Sequence, residues 1–556
     1  METIISGAQV LDGTGRPGFR ADVGIQDGKI AAIGDLREAR AAACIDADGL
    51  TLAPGFIDLH SHCDALLAQP FDRQQELMRG RVCQGITTEL IGNCGFAAAP
   101  VTPATRPLVE GMLGFLSAAE PLSWNWRTTA DYLAHLERSG LVLNVAALVA
   151  HGPIRVLAMG GVEGRQATAE EIARMRRAVR ESLEQGAFGI SFGLVYPPGQ
   201  YAPTEEVAAL CEVVAAFGNG VGRRRFANFH QRGGTLESLL PSLEEIVGVG
   251  RATGASVHLS HDQVVASHDW VRHAEADIAL SERACAEGID YTQEVFPYTS
   301  VGTTLLALYP PWALEGGLRA FLERLSDPVL RARMRHDIEH VLPEWPPWLP
   351  GRWPINIVRA VGWENIRIAF VAKPRNKPFE GRSVPEIAAR MGKSPFDAVS
   401  DLLLDEEADI QQIVIGITGN LNNEEGMRLF LAHPTRAFCT DAWDTGRGKP
   451  HPGVFGAYPR ILGKYTREER LLSLPEAIRK MTSLPAARLG LTDRGSIAEG
   501  YHADLVLFDP TTIADRATFE HPRQTPLGLP YVFVNGRAVV WQGEYRPQPA
   551  GQVLRA

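Results

Sequence analysis

From residue 1 to about 53, apolar and polar residues alternate between Gly- and Asp-bearing turns, in runs such as TIISGAQVLDGTG and DVGIQDGKIAAIGD. A period of two bounded by turn residues predicts short antiparallel strands. The last stretch, from about 488 to 556, behaves alike, in GSIAEGYHADLVLFD and YVFVNGRAVVWQG. Neither end is long enough to bury a core by itself, so the two are expected to pair into one small β-sandwich domain, 1–53 plus 488–556.

Between them, over 54–487, apolar runs of strand length alternate with helical patterns such as TAEEIARMRRAVRESLEQG. The strand candidates end at His60, Cys94, His151, Tyr196, His230, His261, Tyr298 and Asp441. Continuous apolar runs suit strands buried on both faces, and βα alternation asks for a parallel sheet. Eight such strands predict an α/β fold of the (β/α)₈, TIM-like barrel kind. One stretch breaks the rhythm between the seventh and eighth strands. An insertion region at 303–430 is rich in Pro and Trp up to Asn376, and Trp312, Trp345, Trp348, Trp353 and Trp363 are half of the chain's 10 tryptophans. These rings either roof the barrel mouth or pack the insertion's own core.

Composition narrows the function classes. The 556 residues are 45% hydrophobic and 22% charged, which fits a soluble globular protein and excludes wholesale disorder. Lys+Arg is 55 against Asp+Glu 65, a net charge of −10, so a nucleic-acid partner is not expected. No apolar run approaches the ~20 residues of a membrane span, and the first residues lack the pattern of a signal peptide. Seven scattered cysteines do not read as a disulfide framework, so a reducing, cytoplasmic setting is expected.

The polar residues at the strand ends carry the chemistry. His60 and His62 stand two apart, so on a strand their side chains leave one face. Cys94, His230 and His261 end the second, fifth and sixth strands, and Asp441 ends the eighth. A lone strand-end His is more often structural. Six potential ligands on one rim favour a metal site, at the face where barrel enzymes do their chemistry. Zinc takes imidazole, thiolate and carboxylate, and a catalytic zinc site leaves a position open for a water whose pKa falls towards ~7. Asp441 is the candidate general base, able to take a proton from water and return it to a leaving amine.

Here the chain resembles a known family. PGFIDLHSH, with Gly-Phe-Ile-Asp leading into His-x-His, resembles the first-strand signature of the amidohydrolase superfamily. GITTELIGNCGFAAAP, HGPIR, GAFGISFGLVYPPGQYAPTEE and FPYTS resemble its N-acyl-D-amino-acid deacylase (D-aminoacylase) branch. The resemblance implies a zinc-bearing barrel with a small β-domain. It implies Cys94, His230 and His261 as a tight zinc site, with His60, His62 and Asp441 around a second, weaker position. His258 competes with His261 on the same strand, and the motif favours His261.

Two departures bear on substrate. In the branch a Lys follows the sixth-strand ligand and an Arg follows a downstream His-Pro, and both help a Tyr hold the substrate's α-carboxylate. Here those positions read Gln263 and Gly453, while Tyr298 is kept. Losing two cations forfeits charge-assisted bonds of ~1.5–3 kcal/mol each, unless Arg155, Arg232 or Arg447 restores the charge. His151, in HGPIR, is a candidate donor to the developing oxyanion or a structural residue. The expected activity is hydrolysis of a C–N amide bond in a small-molecule amide other than an ordinary N-acyl-D-amino acid. The alternatives are a ring-opening cyclic-amide, lactone or ester hydrolase on the same metal, or a non-catalytic assembly protein. A homo-oligomer is compatible with all three.

Overall fold

The computed structural model of the chain describes residues 1–217 and 225–556. Parallel strands run in chain order through Phe56–Asp58, Ile86–Ile91, Asn144–Ala147 with Val149–Ala150, Gly189–Gly193, Phe226–His230, Ser256–Leu259, Tyr291–Val295 and Arg436–Phe438. Helices lie between several of them, and all these strands except Ser256–Leu259 and Tyr291–Val295 are buried along their whole length. The helix Ala169–Glu184 shows how the pattern acts locally. Thr168 caps it by accepting from the Glu171 N–H while the Glu171 side chain reaches back, and Met175, Val179 and Leu183 bury one face.

The ladder is not one continuous ring. It forms a three-stranded sheet, Phe56–Asp58 to Asn144–Ala147, and a six-stranded sheet from Val149–Ala150 to Arg436–Phe438. Beyond the first and last strands the chain segments meet through the parallel bridge Ser61–Ala442 and the hydrogen bond from Asp441 N–H to His60 C=O, not through a continuous ladder. The expected closed ladder is therefore interrupted where strands are short. Phe56–Asp58 and Arg436–Phe438 each have 3 residues, because the chain leaves the strand to carry His60 and Asp441 outward.

The two ends of the chain share one nine-stranded sheet rather than two separate facing ones. Thr51–Pro54 is its joint, pairing parallel with Thr3–Val10 on one side and antiparallel with Leu505–Phe508 on the other. At the Lys29–Gly34 edge, Ile30 N–H donates to Tyr501 C=O, so the sheet folds back on the C-terminal segment. Val10, Val23, Ile25, Leu52, Leu505 and Phe533 fill its core.

The insertion builds a small sheet of its own. Ser300–Thr304, Ile410–Ile415 and Ile366–Val371 pair antiparallel in that order, with helices such as Leu318–Ser326 and Pro328–His340 between the strands. Most of its tryptophans pack internally. Trp312 donates to Asp337 at 2.7 Å, and Trp345 meets Trp348 edge-on at 5.9 Å. Trp348 also lies under the Arg232 guanidinium, 4.6 Å from its ring centre, and Trp353 lines the cavity described below.

No helix among the described residues is long and apolar enough to cross a membrane. The seven cysteines are all free thiols.

One buried cation makes stability depend on pH. Lys480, in the helix Leu474–Met481, donates to the carbonyls of Leu431 and His433. Burial pushes its ammonium down from 10.5 to about 7. The unfolded chain then binds more protons than the folded one between those values, so this contribution to stability rises with pH across the window. The Tm of wild type relative to Lys480→Met is expected to climb from pH 7 to pH 9, by an effect on the order of a few kcal/mol. Parallel thermal melts of the two proteins would show it, and a constant difference would refute it.

Candidate metal centre and active site

The six sequence-selected donors converge. Cys94 Sγ lies 3.3 Å from His60 Nε2, 3.4 Å from His230 Nδ1 and 3.3 Å from His261 Nε2. Asp441 Oδ1 lies 3.6 Å from His60 Nε2 and 3.5 Å from His62 Nε2. Donors on a tetrahedral zinc stand roughly 3.6 Å apart, so these spacings fit a metal without rearrangement. The donors form three overlapping groups, His60/His62/Cys94, Cys94/His230/His261 and His60/His261/Asp441, each with its ligand atoms within 4.8 Å. Cys94 belongs to two of them. His258 stays outside, with Nδ1 2.7 Å from Thr292 Oγ1, so the geometry selects His261 on that strand.

Only His230 sits on its strand. Cys94, His261 and Asp441 lie two or three residues beyond theirs and carry positive φ of 51°, 31° and 43°. Such backbone costs non-glycine residues of order 1–3 kcal/mol each and clusters at functional sites. The turn at Cys94 also needs Gly193 beside it, where a Cβ would fall 1.9 Å from the Cys94 carbonyl oxygen.

Asp58 fastens the two strands that close the site. Its carboxylate accepts from the backbone of His60 at 3.1 Å and of Thr440 at 3.2 Å, and from buried Arg81, which also holds Glu89 at 3.0 Å. Glu294, inside the seventh strand, accepts from His60 Nδ1 at 2.6 Å. That bond leaves the His60 Nε2 lone pair facing Cys94 and Asp441. The sequence reading missed Glu294, because a Glu in a buried YTQEV strand carries no motif. Glu294→Ala is expected to weaken metal affinity by ~10–100-fold with the fold retained. Chelator competition would measure it, and unchanged affinity would exclude the orienting role.

Electrostatics prepares the donors. Burial pushes the His60 and His261 imidazoles down to about 3 and about 4, against the pull of Asp441, so both are neutral ligands at pH 7. Burial raises the Cys94 thiol, with Asp441 and Glu294 adding to the rise. Burial also pushes the Asp441 carboxyl up, but His261, His62 and His60 outweigh it and hold the group ionised below the usual carboxylate range.

A cavity of about 1170 Å³ opens over the donors, with His62, Cys94, His230, His261 and Asp441 on its wall. Of the four expected substrate contacts, Gln263 lines it, whereas Tyr298, His151 and Gly453 do not. The Tyr298 ring packs 4.9 Å from His451, and Gly453 N–H donates to His451 Nδ1. His151 lies 2.9 Å from Glu206, which also accepts from Arg155 at 2.9 Å. Tyr196 and Trp443 were not assigned roles by sequence, yet both line the cavity. The Tyr196 ring stands 5.1 Å from His230, with its hydroxyl 3.1 Å from Thr303 Oγ1.

The three arginines that could restore a carboxylate clamp are all paired. Arg155 is bound to Glu206, Arg232 to Glu245 at 3.0 Å, and Arg447 to Asp409 at 2.8 Å.

Comparison with known proteins gives the family. The amidohydrolase family model matches residues 43–319 and 358–540. This chain belongs to that family. As an amidohydrolase it is a metal-dependent hydrolase. It is 35% identical to a D-aminoacylase of Alcaligenes xylosoxydans xylosoxydans, over 100% of this chain and 97% of that protein. Among solved structures, an N-acyl-D-glutamate deacylase of Bordetella bronchiseptica, complexed with zinc and a phosphonate mimic of the tetrahedral intermediate, matches with TM-score 0.78 and 31% identity. A D-aminoacylase with a binuclear metal centre, in which one metal activates and the second attenuates, matches at 0.79 and 32%. Both alignments cover 100% of each chain. The family model passes over 320–357, the Trp-rich part of the insertion.

Proposed function

We propose that this amidohydrolase cleaves the C–N amide bond of an N-acyl compound that carries no free carboxylate, on a zinc ion held by Cys94, His230 and His261. His60, His62 and Asp441 surround a second, weaker position. The observation that carries the reading is the convergence of six buried donors, five of them on the wall of one large cavity. Zinc in the Bordetella relative and the two-metal centre of the D-aminoacylase support the choice of ion. The parallel strands and the Ser61–Ala442 bridge support a (β/α)₈ barrel as the frame, with 1–53 plus 488–556 as the accessory domain.

When bound, zinc supplies a Lewis acid that polarises the amide carbonyl and acidifies water. The chain's residues do the rest. Asp441, a carboxylate at neutral pH, accepts the proton of the attacking water and hands it to the departing nitrogen. Glu294 keeps a proton on His60 Nδ1, so that Nε2 stays a lone-pair donor. Tyr196 stands over His230 with a hydroxyl able to donate to an oxygen in the cavity.

The absence of a carboxylate is supported by Gln263 and Gly453 and by the pairing of Arg155, Arg232 and Arg447. Turnover of an N-acyl-D-amino acid should therefore not exceed that of its C-terminal amide, compared by kcat/KM on zinc-loaded protein. A tenfold or larger preference for the free acid would overturn the neutral-substrate reading. Turnover of a matched lactam alone would replace amide cleavage by ring opening.

A further inference from the structure

We infer that the cavity over the metal donors is a chamber for a medium-to-long alkyl chain, and that the substrate is a neutral amide with that chain on its acyl half. The inference rests on the amidohydrolase reading and adds what the chamber itself selects.

Size comes first. Drug-sized ligands occupy roughly 300–1,000 Å³, and this cavity reaches about 1170 Å³. The acyl group of a short N-acyl compound would leave most of it filled with water against apolar walls. Those walls are contributed from far apart along the chain. Phe115 comes from the turn Gly114–Leu116, Leu306 from Leu305–Leu308, Phe321 and Leu322 from Leu318–Ser326, and Trp353 and Ile357 from the segment beyond. Four of these six, Phe321, Leu322, Trp353 and Ile357, belong to 320–357, the stretch outside the family model. Residues 320–357, which the family model does not cover, thus supply much of the apolar end of the chamber.

Charge points the same way. Among the described residues, Arg319 and Arg447 are the only guanidinium groups on the wall, and no lysine lies there. Arg319 is bound to Glu323 at 3.0 Å and Arg447 to Asp409 at 2.8 Å. Glu110, Glu120 and Glu407 add further negative charge to the wall. Among the described residues the wall thus offers an anionic headgroup no cation without a carboxylate partner, which favours a neutral one.

The acyl half is assigned from the products. Hydrolysis adds one water across the C–N bond, giving a carboxylate and an amine that takes up a proton. The carboxylate can remain among the metal donors while its chain lies in the chamber, and the amine leaves.

The test is a series of neutral amides, N-ethyl acetamide, octanamide, dodecanamide and hexadecanamide, turned over by the zinc-loaded full chain. Each buried methylene is worth roughly a factor of four, so burial of even about four of the added methylenes should raise kcat/KM about a hundredfold or more from acetamide to dodecanamide. Equal rates across the series would overturn the inference while leaving the amidohydrolase reading intact. Faster turnover of N-dodecyl acetamide than of N-ethyl dodecanamide would overturn the acyl assignment. If no amide is turned over, the reading of linear-amide cleavage fails, and binding judges the chamber separately. N-ethyl dodecanamide should change the tryptophan fluorescence of wild type saturably, since Trp353 and Trp443 line the cavity, and a flat titration would overturn the inference. Ala307→Phe, which fills the wall beside Leu306, should abolish the gain from the long chain, read as the ratio of kcat/KM for N-ethyl dodecanamide to that for N-ethyl acetamide, and an unchanged ratio would overturn the inference.

Discussion

Cys94→Ala protein is expected to emerge from purification with less than a tenth of the wild-type zinc per chain and to lose hydrolysis by ~10³-fold or more. The size follows from geometry. Cys94 Sγ is the common neighbour of His60, His230 and His261, at 3.3 to 3.4 Å, and it takes part in two of the three donor groups. A structural zinc site is worth ~10–16 kcal/mol, so one ligand of a tetrahedral set accounts for several kcal/mol of affinity. The rise in Tm that zinc confers on wild type should shrink with it, because a ligand stabilises only the state that binds it. Metal analysis and melting with and without added zinc check the point. Wild-type occupancy in Cys94→Ala would place the tight site on other donors.

Asp441→Asn should give the opposite separation. Cys94, His230 and His261 do not depend on it, so tight zinc content is expected to stay near wild type while kcat falls by ~10²–10⁴-fold. The asparagine amide keeps the shape but can neither accept the water's proton nor deliver one to nitrogen. Its loss should therefore appear in kcat far more than in KM. Loss of zinc together with activity would recast Asp441 as a ligand of the tight site.

Much of this site was legible in the sequence because its donors sit at the ends of apolar strands, where a His, Cys or Asp stands out against Val, Ile and Phe. The strand ends themselves were misplaced by two or three residues at Cys94, His261 and Asp441, and the reason is physical. These residues turn to positive φ, which residue type alone does not announce. What remained hidden depends on contacts between distant segments. Nothing local ties Arg155 to Glu206 or Arg447 to Asp409, so whether a cation was free to meet a carboxylate could be decided only in three dimensions. Glu294 stayed silent for the same reason, and Asp58, though part of the first-strand motif, shows its grip on Thr440 only once the strands are placed side by side. The Pro- and Trp-rich insertion was visible as a break in rhythm, but its antiparallel sheet and the single tryptophan it aims at the cavity were not.

The terminal sheet has a consequence for biosynthesis. Leu52 pairs with Leu507, so the strand that precedes Phe56–Asp58 has no neighbour on that side until almost the whole chain has been made. At ~5–20 residues per second that interval is on the order of 20–90 s. Throughout it, the nascent N-terminus exposes an open hydrogen-bonding edge backed by Val10, Val23 and Leu52, the kind of edge that recruits strands from neighbouring chains. Crowded polysomes and slow translation of the last segment are thus the conditions under which this protein is most exposed to misassembly.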